Sequence, residues 1–142
     1  MWEVILDIED AYWNIPMGPW SQIYLGFYLE IAQGIRKNFM FTVLPFGLSQ
    51  APWLLSRVMS PIKAQLGLGE IWDTGFLDDL MFLVCSQKYL LNKVQYIVEL
   101  FGRFHLPTNY QKSNLVPSQK VAYLGVHFHL NYLFLSLPEE KI

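Results

Sequence analysis

The run Gly75-Phe76-Leu77-Asp78-Asp79-Leu80-Met81-Phe82 constrains the fold more than any other part of the chain. Two adjacent carboxylates lie between apolar segments, Phe76-Leu77 before them and Leu80 to Cys85 after. Apolar runs of this length bounded by turn residues read as buried strands. The run therefore predicts a strand, a tight turn carrying Asp78 and Asp79, and a second strand. Two like charges about 4 Å apart repel by roughly 4 kcal/mol at an effective dielectric near 20. A bound divalent cation removes that cost. An ordinary exposed turn is the competing reading, because Asp favours turns for local reasons. A third carboxylate, Asp7, weighs on the choice. It lies near the end of an apolar, β-branched segment, Trp2 to Ile8, that reads as a buried central strand.

The rest of the chain supplies partners for these strands. Asp10-Ala11-Tyr12-Trp13 reads as a turn or short helix, and Pro16-Met17-Gly18-Pro19 closes the first segment. Ile23 to Ile31 and Ile35 to Leu44 read as a hairpin joined at Ala32-Gln33-Gly34. Leu44-Pro45-Phe46-Gly47-Leu48 is a bend, since Pro removes a donor and Gly permits positive φ. Ser49 is expected to cap a helix with Pro52 in its first turn, running to about Leu66 unless Pro61 kinks it or ends it early. Gly67 and Gly69 break the chain before a strand from Ile71 to Leu77. Ser86 caps a second helix through about Phe104, in which Leu90, Leu91, Val94, Ile97, Val98 and Phe101 recur at helical spacing. His105 to Pro117 reads as a polar connection carrying Lys112. Val121 to Leu130 reads as one alternating strand, turned by Asn131-Tyr132 into Leu133 to Leu137. Hairpins join most strands, so the expected class is α+β: a mainly antiparallel sheet with helices on one face.

Composition narrows the class further. A chain of 142 residues makes one domain or part of one. Its 53% hydrophobic and 15% charged content excludes disorder. The apolar share exceeds that of a typical free-standing domain, so some of that surface is expected to meet other segments. A net charge of −2 lacks the basic excess usual in a nucleic-acid binder. The single Cys85 rules out an internal disulfide and reads as strand packing. Met1-Trp2-Glu3-Val4 does not resemble a signal peptide. The uncharged stretch Asn38 to Ser56 is interrupted by Pro45, Gly47, Gln50 and Pro52, which argues against a membrane span. The expected location is intracellular, cytoplasm or nucleus, with no membrane partner.

If the strands carrying Asp7 and Asp78-Asp79 are neighbours, three carboxylates converge at one sheet edge. Hard oxygen ligands of this kind suit magnesium. Two ions held this way clamp the attacking and leaving oxygens of a phosphoryl displacement. The alternative is that Asp7 simply caps the Asp10-Ala11-Tyr12 turn. These residues also carry a resemblance. Leu6-Asp7-Ile8-Glu9-Asp10-Ala11-Tyr12-Trp13-Asn14-Ile15-Pro16, Leu44-Pro45-Phe46-Gly47-Leu48-Ser49-Gln50-Ala51-Pro52 and Phe76-Leu77-Asp78-Asp79 resemble motifs A, B and C of reverse transcriptases. Lys112-Ser113 and Tyr123-Leu124-Gly125 resemble motifs D and E, in the family's order. The stretch Asn109 to Gly125 looks most like the enzymes of DIRS-type retrotransposons.

The resemblance implies that residues 1–142 are the palm, with part of the fingers, of a right-hand RNA-directed DNA polymerase. Asp7, Asp78 and Asp79 match the family's metal-binding catalytic triad, with the Ile8 carbonyl as an extra ligand. The implied cofactor is a pair of Mg2+ ions, or Mn2+. Asp10 and Ala11 match positions beside the incoming triphosphate, and Tyr12 matches the aromatic steric gate under its sugar. Phe46 and Gly47 match the motif that packs near nucleotide and template. Lys112 matches the lysine that protonates the pyrophosphate leaving group, with a plain solvated loop lysine as the alternative. Tyr123, Leu124 and Gly125 match the primer grip. The implied partners are an RNA or DNA template with its primer, deoxynucleoside triphosphates, and the remainder of a retroelement polyprotein.

His127 and His129 are expected to share a strand face with Tyr123 and Gly125, where they read as solvent-exposed or as primer-phosphate contacts. Trp13, Trp20, Trp53 and Trp72 read as packing more than as stacking platforms for bases. Two positions depart from the family pattern. Phe76 stands where many members have Tyr, and Glu9 where a basic or small residue is common. The basic fingers segment and the thumb are expected to lie outside the 142 residues, which fits the near-neutral charge. The leading reading is attack of a primer 3′-hydroxyl on a deoxynucleoside triphosphate, with release of pyrophosphate. A decayed or repurposed fragment acting by protein interaction is the second. An RNA polymerase or nucleotide cyclase is the third, and Tyr12 and the Leu44-Pro45-Phe46-Gly47 bend disfavour it.

Overall fold

A computed structural model of the chain describes residues 1–67 and 71–138, so the expected break at Gly69 lies outside the described residues. In order, the elements are β1 (Trp2–Asp7), α1 (Pro19–Gln22), β2 (Gly26–Ala32), β3 (Ile35–Met40), α2 (Ala51–Gly67) and β4 (Trp72–Phe76). They continue with β5 (Asp79–Val84), α3 (Gln87–Arg103), β6 (Asn114–Ser118), β7 (Lys120–Tyr123), β8 (Val126–His129) and β9 (Phe134–Ser136). The class is α+β with antiparallel pairing, as expected. The strands form three sheets rather than one: β4-β5-β1-β6, β2-β3 and β7-β8-β9.

β1 is buried on both faces, which explains its nearly unbroken apolar sequence. Val4 and Leu6 face the main core, where Leu55, Met59 and Ile62 of α2 meet Leu90, Ile97 and Phe101 of α3. Leu80 and Phe82 of β5 join the same cluster. On the opposite face, Ile5 and Met81 meet Val121 and Tyr123. Helices therefore cover one face of the central sheet, and the β7-β8-β9 sheet packs on the other.

The capping of α3 follows the sequence reading: the Ser86 hydroxyl accepts from the Tyr89 N–H at 3.4 Å. α2 opens differently, at a turn in which the Ala51 N–H donates to the Leu48 carbonyl at 2.9 Å. It runs on through Pro61 to Gly67. Pro61 and Arg57 are both exposed, so water can satisfy the carbonyl that Pro61 leaves free. The single turn α1, with Pro19 at its start, was not foreseen.

Two expectations need correction. Asn114–Ser118, read as part of a polar connection, is strand β6, at the edge of the central sheet. Edge strands tolerate proline, so Pro117 did not exclude it. Val121 to Leu130 is two strands, joined by a turn at Leu124 (φ 48) and Gly125 (φ 76). Two successive positive φ values are the signature of a tight hairpin turn that matches strand twist.

β2 and β3 project as a hairpin with exposed Tyr28, Leu29, Ile31, Ile35 and Met40. This hairpin carries part of the chain's exposed apolar surface. Among the described residues, no helix is long and apolar enough to cross a membrane.

Candidate active site

The β1–β5 register places Asp7 directly opposite Asp79. Opposed residues of an antiparallel pair share a face, and like charges there destabilise the pair. Phe76 pairs with Asp79, so the turn holds only Leu77 (φ 56) and Asp78, while Asp79 opens β5. The expectation that both aspartates sit in the turn is corrected by one residue. The Ile8 N–H donates to the Asp78 carbonyl at 3.1 Å, which brings the turn against the end of β1. The three aspartate positions therefore meet at one end of the sheet.

Asp7 is 9% exposed. Burial raises its pKa, Lys112 opposes that rise, and Asp79 and Asp78 add to it. A side-chain hydrogen bond with Asp79 pushes it in the same direction. Among the described residues, no group of three His, Cys, Asp or Glu side chains stands in metal-holding geometry. Asp78 leaves from the turn, out of phase with the opposed pair. The donor set still suits a cation: hard oxygens are crowded together with too little positive charge beside them.

The backbone of Asp7 is held from the other side. Its N–H donates to the Ser113 hydroxyl at 3.0 Å. Its carbonyl accepts from the Asn109 N–H at 2.9 Å. Ser113 in turn donates to the Asn109 carbonyl at 2.6 Å, and the Asn109 side chain accepts from the N–H groups of Gln111 and Lys112 at 3.2 and 3.3 Å. This compact turn brings Lys112 within electrostatic reach of Asp7. Sequence reasoning missed the roles of Asn109 and Ser113. The available signal was an Asn two and three residues before the N–H groups it caps, a known Asx-turn spacing.

Asp10 (φ 49) is exposed, and the Asn14 amide holds its turn by donating to the carbonyls of Glu9 and Asp10 at 2.7 and 3.1 Å. Ala11 and Tyr12 are buried. The Tyr12 ring meets Phe46 edge-on at 5.0 Å, and Trp13 meets Phe46 at 5.6 Å. Hydrogen bonds of 2.9 Å from Met17 to Thr42 and from Leu44 to Ile15 tie these two segments together, and Gly47 (φ 84) completes the bend. Burial, and then the charge of Asp78, push the Tyr12 phenol up, which places the ring beside the carboxylate end.

Tyr123 points inward. Its hydroxyl donates to the Asp79 carbonyl at 2.9 Å and accepts from the Phe76 N–H at 3.3 Å. It clamps the β4–β5 turn from below, while Leu124 is exposed. Tyr123→Phe is expected to destabilise the chain by about 1 kcal/mol, because two partly buried backbone groups lose their partner. Urea unfolding measures this, and an unchanged midpoint would refute the clamp. His127 and His129 do not share a face with Tyr123. They pair across with Ala122 and Lys120 and so share theirs. The signal was in the sequence: apolar phase changes from Val121 and Tyr123 to Val126 and Phe128, which marks the turn between them.

The family described as reverse transcriptase (RNA-dependent DNA polymerase) matches residues 1–128. The chain belongs to this family. By family, the chain is a nucleotidyltransferase. It is 26% identical over 129 residues to the Gag-Pol polyprotein of baboon endogenous virus (strain M7), covering 87% of the chain and 7% of the relative. The enzymatic polyprotein of Cestrum yellow leaf curling virus is 28% identical over 131 residues, covering 92% and 19%. The Gag-Pro-Pol polyprotein of bovine leukemia virus is 24% identical over 144 residues, covering 98% and 10%. The chain thus spans under a fifth of these relatives' lengths. They lend no support to the DIRS-type assignment.

Proposed function

We propose that residues 1–142 form the palm, with part of the fingers, of an RNA-directed DNA polymerase that extends a primer on an RNA or DNA template. The observation that carries this reading is the direct opposition of Asp7 and Asp79, with Asp78 at the adjoining turn. Asp7, Asp78, Asp79 and the Ile8 carbonyl would hold two Mg2+ or Mn2+ ions. When bound, the ions supply the positive charge that phosphoryl transfer requires. The Ile8 N–H already faces Asp78, and a strand residue's N–H and C=O point the same way, so its carbonyl lies on that edge.

The primer 3′-hydroxyl releases its proton to solvent as its oxygen attacks the α-phosphorus of the deoxynucleoside triphosphate, and the bond to pyrophosphate breaks. Lys112 gives the leaving pyrophosphate a proton. Asp10 and Ala11 flank the triphosphate, and Tyr12 underlies the sugar. Phe46 and Gly47 pack beside base and template. Leu124 and Gly125 carry the outward part of the primer grip, with Tyr123 fixing their base. The chain would act as part of a longer retroelement polyprotein in the cytoplasm or nucleus. A DIRS-type lineage rests on the stretch Asn109 to Gly125 alone. The exposed apolar β2–β3 hairpin keeps one second reading open, a non-catalytic fragment acting by protein interaction.

The test is metal binding by the folded chain. Millimolar Mg2+ or Mn2+ should raise the melting temperature by mass action, about 2.7 kcal/mol of stability at a hundred times the Kd. Asp78→Asn should abolish that increase. Superimposable melting curves for the parent with and without metal would sink the reading.

A further inference from the structure

β4 is an edge strand of the central sheet, hydrogen-bonded to β5. Asp73 pairs with Phe82 and Gly75 with Leu80, so these two β4 residues share the face that packs toward the helices. A cavity of about 410 Å³ separates that face from α2, lined by Ser56, Ser60 and Lys63 on the helix and by Asp73, Gly75 and Leu77 on the strand side. Small and polar residues on both walls leave little apolar packing to fix the distance between β4 and α2.

Lys63 crosses the gap. Its ammonium pairs with the Asp73 carboxylate at 3.2 Å, with the two side chains 21% and 24% exposed. A pair this covered is screened less than one standing in open solvent. The ammonium also lies so close over Gly75 that a Cβ there would collide with it, and with the Leu80 side chain. The missing side chain is thus the space through which the lysine reaches Asp73.

Two residues beyond Gly75 the chain enters the turn that carries Asp78, at Leu77 with φ 56. Leucine is strained there, and such strain persists only where the surroundings over-determine the backbone. The Tyr123 hydroxyl is one support, holding the Phe76 N–H at 3.3 Å from the face opposite the helices. Lys63 is the matching support on the helix side.

We propose that Lys63 is a positioning residue for Asp78: its pair with Asp73, across Gly75, sets the height of β4 over α2 and with it the approach of the turn carboxylate to a cation shared with Asp7 and Asp79. The inference rests on the reading of the three aspartates as a cation site. Lys63 itself touches neither the ion nor the nucleotide.

The experiment is Mn2+ binding by the folded 142-residue chain, read from the electron paramagnetic resonance signal of free Mn2+. Each protein is measured well below its melting temperature, so lost affinity is not lost fold. Lys63→Met should weaken binding about fivefold and Asp73→Asn about as much, with the double substitution no worse than either alone, the signature of one coupled pair. A field effect would give opposite signs, because losing a cation tightens Mn2+ binding and losing an anion loosens it. Lys63→Arg, which keeps the pair, should bind like the parent. Should Lys63→Met not fold, the double substitution, which leaves the net charge unchanged, is expected to show the same loss. Unchanged or tighter binding in Lys63→Met, or in the double substitution that stands in for it, overturns the inference and leaves the polymerase reading standing. A parent that binds no Mn2+, or whose binding survives Asp78→Asn, sinks both.

Discussion

Glu3→Gln is expected to make the protein more stable than the parent at pH 8, by roughly 2–3 kcal/mol, and to flatten its stability profile between pH 4.5 and 7. Glu3 is fully buried in β1, four residues before Asp7, and neither carboxylate oxygen has a hydrogen-bond partner. Burial pushes its pKa from the ordinary 4.5 to about 7. Ser118 would favour the ionised form, but its hydroxyl donates to the Lys120 carbonyl at 2.9 Å. Between pH 4.5 and about 7 the folded chain keeps a proton that the unfolded chain has released. Stability therefore falls as pH rises through that window, and the full penalty, at most about 3 kcal/mol, applies above it. Glutamine cannot ionise, so it keeps the low-pH stability throughout. Urea unfolding of both proteins from pH 4 to 8.5 measures the difference. Parallel profiles would show that Glu3 is ionised in the folded state with partners of its own.

In the polymerising polypeptide, Tyr12→Val is expected to admit ribonucleotides, with the ratio of deoxy- to ribonucleotide incorporation falling tenfold to a hundredfold. The ring is 8% exposed, wedged against Phe46 at 5.0 Å, and sensitive to the charge of Asp78. It therefore has little room to retreat. A ribose 2′-hydroxyl would overlap it, and yielding would strain packed surroundings by about 1–3 kcal/mol. Each 1.4 kcal/mol is about a factor of ten in rate. Tyr12→Phe should keep the discrimination, because the ring does the excluding. The measurement is incorporation of each nucleotide on one RNA template by parent and both variants. A valine variant that discriminates like the parent would remove Tyr12 from the gate and displace the alignment of its motif.

The chain's chemistry was largely legible as residue types in order. An apolar segment ending at Asp7, a glycine–proline bend at Pro45 and Gly47, and paired acids at Asp78 and Asp79 each carry a local physical reason. So does Ser86, whose cap depends only on the next three residues. What a residue faces across strands is not local, and there the sequence ran out. Only the tertiary structure decided that Asp7 opposes Asp79, because register depends on a partner strand about seventy residues away. It also decided that Asn114–Ser118 is a strand, since its polar residues and Pro117 are compatible with a loop or with an edge. For His127 and His129 the sequence carried the signal, an apolar phase change from Val121 and Tyr123 to Val126 and Phe128, and the structure supplied the pairing with Ala122 and Lys120. A two-residue turn at Leu124 and Gly125 reverses the chain, and the face a side chain occupies is set by the strand pairing that follows. The burial of Glu3 is the clearest case: the sequence shows an acid within an apolar strand, and only the packing of the β7-β8-β9 sheet over that face of β1 leaves it without a partner.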